Sequence, residues 1–104
     1  MVLNKEKLKA EKKRLKLEYG SVFNSIAEIL FKHDPIGINF DDNTDEYETE
    51  ARTILPRLKD CHSAEDVLTV THEEFQRWFD VGTAGAKQNY KKISDEIWGL
   101  WQKR

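Results

Sequence analysis

Apolar side chains recur along this chain at spacings of three, four and seven, and that recurrence leaves helices as its building blocks. Leu8, Leu15, Val22 and Ile29 fall every seven residues, and Tyr19, Ile26 and His33 form a second row four residues further on. Both rows share one helix face. The pattern passes through Gly20, which predicts one helix over residues 5–32. The alternative is a break at Gly20 with Ser21 capping a second helix. Only two Pro and five Gly interrupt the chain. Its three Trp, three Tyr and five Phe exclude a disordered polymer. The predicted fold class is all-α, a compact bundle of four to five helices with a long basic N-terminal helix at one edge.

Further helices follow from local signals. Pro35 and Gly37 in HDPIG stop the first helix, and residues 34–44 read as a loop anchored by Ile36, Ile38 and Phe40. Asp45 with Glu48 forms a capping box for a helix over 45–60, whose stripe is Tyr47, Ala51, Ile54, Leu55 and Leu58. Pro56 lies inside that stripe and is expected to kink it. Ser63 with Asp66 starts a helix over 64–80, with Val67, Leu68, Phe75, Trp78 and Phe79 facing inward. Thr71 with Glu74 marks a second capping box, so a break near Thr71 is the alternative. Gly82 is expected to end this helix. The last helix spans 84–102 and buries Tyr90, Ile93, Ile97 and Trp101. Trp98 is the aromatic residue expected at the rim.

At 104 residues the chain fits one domain, with residues 1–16 as a basic extension that projects from the body. The lone Cys61 has no internal disulfide partner, and Met-Val-Leu-Asn opens no secretory leader. No apolar run is long enough for a membrane span. A cytoplasmic protein is the expectation.

Charge is segregated. Residues 5–16 carry seven Lys and Arg against Glu6 and Glu11, while the remainder of a chain of net charge −2 is acidic. The acidic excess concentrates in FDDNTDEYETE, at Asp41, Asp42, Asp45, Glu46, Glu48 and Glu50. Lys5, Lys9, Lys12, Lys13 and Lys16 are candidates for binding nucleic-acid phosphate without sequence readout. The Lys7–Glu11 and Arg14–Glu18 spacings also support a solvated helix by themselves.

Motifs for chemistry are incomplete. Asp41, Asn43 and Asp45 match the first positions of a calcium loop, but Glu46 replaces the turn glycine and Arg52 the closing carboxylate. Cys61 and His62 are adjacent, yet neighbouring helical side chains diverge by about 100° and no metal-ligand spacing accompanies them. VGTAGAK departs from a phosphate-binding P-loop, although its GxxG turn and Lys87, Lys91 and Lys92 fit a helix–hairpin–helix. An enzyme, of hydrolase type, would have to be built from His33, Asp34 or Cys61. No catalytic residue, cofactor or metal ligand is assigned.

The blocks DPIGINFDDNTDEYETEARTILPRL, EEFQRWF and YKKISDEIW resemble a family of small uncharacterised bacterial proteins. Those chains share DPIG, an acidic EYxxE helix start, ILPxL, a WF-containing helix and a terminal EIW helix. The resemblance covers about residues 22–101 and leaves the basic extension outside. It implies an all-helical bacterial domain and supplies no catalytic residues.

The resulting expectation is a non-enzymatic protein-binding module of immunity or antitoxin type. Its contacts would be Asp34, Asp41, Asp42, Asp45 and Glu46, meeting a basic protein. Nucleic-acid binding through the basic helix is the alternative. The chain is expected as a monomer or weak homodimer, away from membranes.

Overall fold

A computed structural model describes residues 5–37 and 47–103. Six α-helices and two 3₁₀ helices make up the described chain: α1 (Lys5–Tyr19), α2 (Val22–His33), α3 (Glu48–Ile54), α4 (Ala64–Trp78), α5 (Val81–Ala84) and α6 (Lys91–Lys103). The 3₁₀ segments are Leu55–Asp60 after α3 and Lys87–Tyr90 before α6. No strand occurs among the described residues. The all-α class is therefore as read from the apolar spacing. The Cα radius of gyration, 12.9 Å, matches the ~13 Å of a compact 100-residue domain.

The expected helix over 5–32 is two helices. Gly20 adopts φ +63° while its N–H still closes on the Lys16 carbonyl at 2.8 Å. A left-handed residue ends α1, and α2 restarts at Val22. Ser21 occupies the N-cap position in helical geometry and makes no side-chain cap bond. An unbroken helix drifts ~20° per heptad away from a seven-residue repeat. The break resets that drift, so Leu15 on α1 and Val22, Phe23, Ile26, Ala27 and Leu30 on α2 are all buried.

Pro56 changes the helix type. α3 stops at Ile54, and Leu55–Asp60 continues as 3₁₀ with Pro56 in its first turn, because proline has no N–H for an α-helical bond. The predicted stripe survives: Tyr47, Ala51, Ile54, Leu55 and Leu58 have no exposed surface. Tyr47 is the N-cap residue of α3 and makes no side-chain cap bond. Asp45, the expected cap, lies outside the described residues, as do Ile38 and Phe40.

At α4 the Ser63 hydroxyl accepts from the Asp66 N–H at 3.1 Å, while the Asp66 carboxylate accepts from the His62 N–H at 2.8 Å. The helix runs unbroken through Thr71. It ends four residues before the expected Gly82 stop, at Trp78, and Asp80 takes φ +130°. Gly82 instead lies inside α5. The last helix starts at Lys91 rather than residue 84, because Gly85 at φ +77° and the 3₁₀ turn intervene. Its predicted stripe of Tyr90, Ile93, Ile97 and Trp101 is buried. α6 packs on α4 and α2, α2 packs on α3, and α1 rests against α2 and α3.

Phe75, fully buried on α4, contacts the rings of Tyr47, Phe79 and Tyr90. Phe75→Ala is expected to lower the unfolding free energy by about 3–5 kcal/mol, read by urea titration followed by circular dichroism.

Candidate protein interface

The end of α2 is held by a tyrosine. Asp34 enters the left-handed region (φ 47°, ψ 57°), and its N–H bonds the Leu30 carbonyl at 2.8 Å. Asp tolerates this conformation better than most residues. The Gly37 N–H then donates to the Asp34 carbonyl at 3.1 Å, closing the predicted DPIG turn. The buried Tyr47 hydroxyl donates to Asp34 Oδ1 at 2.6 Å and accepts from the Ile36 N–H at 3.2 Å. One phenol therefore holds both ends of the acidic segment, at the DPIG turn and at the start of α3. Asp41, Asp42, Asp45 and Glu46 themselves lie outside the described residues, as does the calcium-like pattern they begin. Asp34 is half-buried and committed to Tyr47, so it is a structural residue of the turn before it is a contact.

Next to this turn, Glu96 of α6 joins two neighbouring side chains of α2. Lys32 Nζ donates to Glu96 Oε1 at 2.7 Å, and His33 Nε2 hydrogen-bonds Glu96 Oε2. The hydrogen bond from Lys32, then that from His33, holds the Glu96 carboxyl below its ordinary range.

Cys61 has little exposed surface, and its thiol faces the Arg57 carbonyl at 3.6 Å. Burial, reinforced by Asp66 and Asp60 and opposed by Arg57, pushes the thiol pKa up. A shallow depression of about 270 Å³ adjoins it, lined by Arg57, Asp60, Cys61, Asp66, Thr69 and Val70. A protonated thiol is a weak nucleophile there. His62 is exposed on the loop before α4. Among the described residues no three His, Cys, Asp or Glu side chains converge as a metal site.

The VGTAGAK turn is anchored from inside. His72 Nε2 donates to the Gly85 carbonyl at 2.9 Å, and the Tyr90 hydroxyl donates to the Ala84 carbonyl at 2.6 Å. Burial pushes the Tyr90 phenol up to about 12. Lys87, Lys91 and Lys92 are exposed beyond this turn.

Arg57 ties the 3₁₀ segment to α4. It reaches Glu73 Oε1 at 2.7 Å and Glu74 Oε2 at 2.8 Å, and Arg77 adds a contact to Glu74 at 3.4 Å. Glu74 is only 1% exposed. Two guanidinium groups meet its Oε2 and offset part of the desolvation, while Oε1 is buried without a hydrogen-bond partner among the described residues.

The end of α4 carries the surface that the sequence did not disclose. Trp78, assigned to the inward stripe, is 37% exposed, and Val81 three residues on is 70% exposed. Trp98, expected at the rim, is half-buried against the core. The Trp78 indole N–H donates to Thr53 Oγ1 at 3.0 Å, and that hydroxyl donates to the Glu50 carbonyl at 3.1 Å. The Arg52 guanidinium lies 5.8 Å from the Trp78 ring centroid, within cation–π range. Arg77 stands beside Trp78 in sequence with a side chain 74% exposed. The result is an aromatic plate whose orientation is fixed by α3 and whose outer edge is in solvent.

Among the described residues no helix is long and apolar enough to cross a membrane. Compared with known proteins, the chain matches no family model, no curated protein and no solved structure.

Glu96 generates a pH prediction. Its depressed carboxyl contributes stability that is present above the unfolded carboxylate pKa of about 4.3 and is lost as pH falls through the lower folded value. Wild type is expected to melt above Glu96→Gln at pH 6, with the gap closing on acidification to about pH 3. Thermal melts at the two pH values check this.

Proposed function

We propose that this chain is a non-catalytic protein-binding module whose central contact is Trp78. The supporting observation is an exposed indole held in place by Thr53 and Arg52. Trp and Arg supply a disproportionate share of binding energy at protein interfaces. A ring already oriented in the free protein loses less conformational freedom on association. Val81, 70% exposed three residues on, adds apolar surface at the same end of α4, and Arg77 supplies a charged rim.

The acidic residues belong to the same proposal. Asp41, Asp42, Asp45 and Glu46 precede α3 in sequence, and α3 also carries Arg52 and Thr53. Four residues of helix, about 6 Å, separate Glu48 from Arg52. A protein partner seated on Trp78 thus comes close to where the acidic segment joins α3. A basic flank on that partner would complement those carboxylates. Kinship with small bacterial helical proteins, a cytoplasmic setting and an immunity or antitoxin role are parts of this reading.

The test is affinity capture from the native cell with wild type, Trp78→Ala and the Asp41→Asn/Asp42→Asn/Asp45→Asn/Glu46→Gln variant. One protein retained by wild type and lost with Trp78→Ala is the expected result. Titration of that purified protein is expected to show a loss of about 2 kcal/mol or more, roughly 30-fold, for Trp78→Ala. Equal retention by Trp78→Ala, with its melting curve unchanged, rejects the assignment. So does recovery of no protein by wild type.

A further inference from the structure

The packing of α1 fixes which way its charges face. Leu15 is 1% exposed and sits in the core, and the Tyr19 ring lies 6.0 Å from that of Trp101 on α6. These two contacts set the rotation of α1 about its axis. At 100° per residue, Lys5, Lys9, Lys12, Lys13 and Lys16 then fall within an arc of about 100° beside the buried row. Glu11 and Glu18 fall on the other flank with Lys7 and Arg14, and Glu6 falls beyond the far edge of the lysine arc. Arg14 is neutralised there by Glu18 at 3.2 Å. Lys9, Lys13 and Lys16 are exposed, and none of them forms an ion pair among the described residues. The positions of the five lysines span about 16 Å along the axis.

We infer that this lysine stripe is a second binding surface, distinct from the Trp78 face, and that its ligand is the phosphate backbone of duplex nucleic acid. Charge complementarity carries the assignment. Each strand of a duplex presents one phosphate per ~3.4 Å of axis, close to the spacing of about 4 Å per lysine along the stripe, so the row can follow one strand. A bilayer would demand an apolar helix face beside the lysines. α1 has turned the row of Leu15 and Tyr19 inward and leaves a single leucine, Leu17, exposed among its described side chains, which is no apolar face. Single-strand binding relies on exposed rings that stack bases. Tyr19, the one aromatic residue of α1, is instead half-buried against Trp101. The exposed Leu17 lies about 40° beyond the Lys13 edge, outside the lysine arc, so the stripe itself carries no apolar anchor of the kind a protein interface uses. The net charge of −2 does not oppose this, because exposed charges more than ~10 Å away are largely screened at 0.1 M salt.

Fluorescence anisotropy with a labelled DNA duplex of about 20 base pairs tests the inference, using two unrelated sequences and salt from about 50 to 200 mM. Both sequences are expected to bind equally. The slope of log K against log salt is expected to be about −2.7 to −4.5, for three to five phosphate contacts. Lys9→Gln/Lys13→Gln/Lys16→Gln is expected to weaken binding at least tenfold and to reduce the slope by about 2.7, while its melting curve stays close to wild type. Undetectable duplex binding at the lowest salt, a slope near zero, or unchanged affinity in the variant overturns it. Equal or tighter binding to polyglutamate, to single-stranded DNA or to phosphatidylcholine–phosphatidylserine vesicles overturns it as well. Trp78→Ala is expected to leave duplex binding unchanged, which separates this surface from the protein interface.

Discussion

Three rings converge on Phe75, and two backbone turns hang from two of them. Phe75 lies 5.1 Å from the centroid of Tyr90 and 6.0 Å from that of Tyr47, with Phe79 stacked at 5.7 Å. Such pairs contribute about 0.5–1.5 kcal/mol each beyond the area they bury. Position matters more than that sum. Tyr47 immediately precedes α3 and Tyr90 immediately precedes α6, so one side chain of α4 gathers the starts of two other helices. Each tyrosine then sends its hydroxyl out of the core to a backbone turn, Tyr47 to Asp34 and Ile36, Tyr90 to Ala84. The burial that immobilises each ring also aims its phenol. Turn geometry at DPIG and VGTAG is thereby set by packing several residues away.

This dependence explains what was readable in advance. The stripes through Tyr47–Leu58 and Tyr90–Trp101 were legible because burial about a helix axis repeats every 3.6 residues and leaves a linear trace. Both tyrosines fall on these buried rows for that reason. Their hydroxyl partners were not legible, since a phenol reaching a carbonyl or carboxylate in another turn has no sequence period. Gly20 and Pro56 were ambiguous in different ways. Gly20 fits a helix interior at modest cost or a left-handed stop, and only the packing of α1 and α2 decides between them. Pro56 demanded a local change, but whether it would produce a kink or a 3₁₀ continuation depends on how the Leu55 and Leu58 side chains reach the core.

Trp78 escaped for a more general reason. Periodicity reports rotation about an axis and is silent about position along it. Trp78 points in the direction of its stripe, yet it lies in the last turn of α4, where it meets the polar Arg52 and Thr53 of α3 and stays 37% exposed. The same limit applies to the charged residues. Composition showed that residues 5–16 are basic, but the buried Leu15 and the Tyr19–Trp101 contact were needed to separate a lysine flank from one where Arg14 is already paired.

A small net charge gives this protein little long-range field, so recognition must be decided within a Debye length of each surface. That condition favours local segregation over overall charge. Lys9, Lys13 and Lys16 of α1 face solvent without an ion pair among the described residues, whereas Arg57, Arg77, Glu73 and Glu74 are engaged with one another around the end of the 3₁₀ segment. The described charged groups thus include some paired across the fold and others that face solvent without an ion pair. Trp78 lies next to the first group, beside Arg77 and stacked with Arg52. An apolar ring among charges that are already engaged can be desolvated by a partner without stranding an unpaired ion, which is the condition under which burying an aromatic side chain yields net affinity.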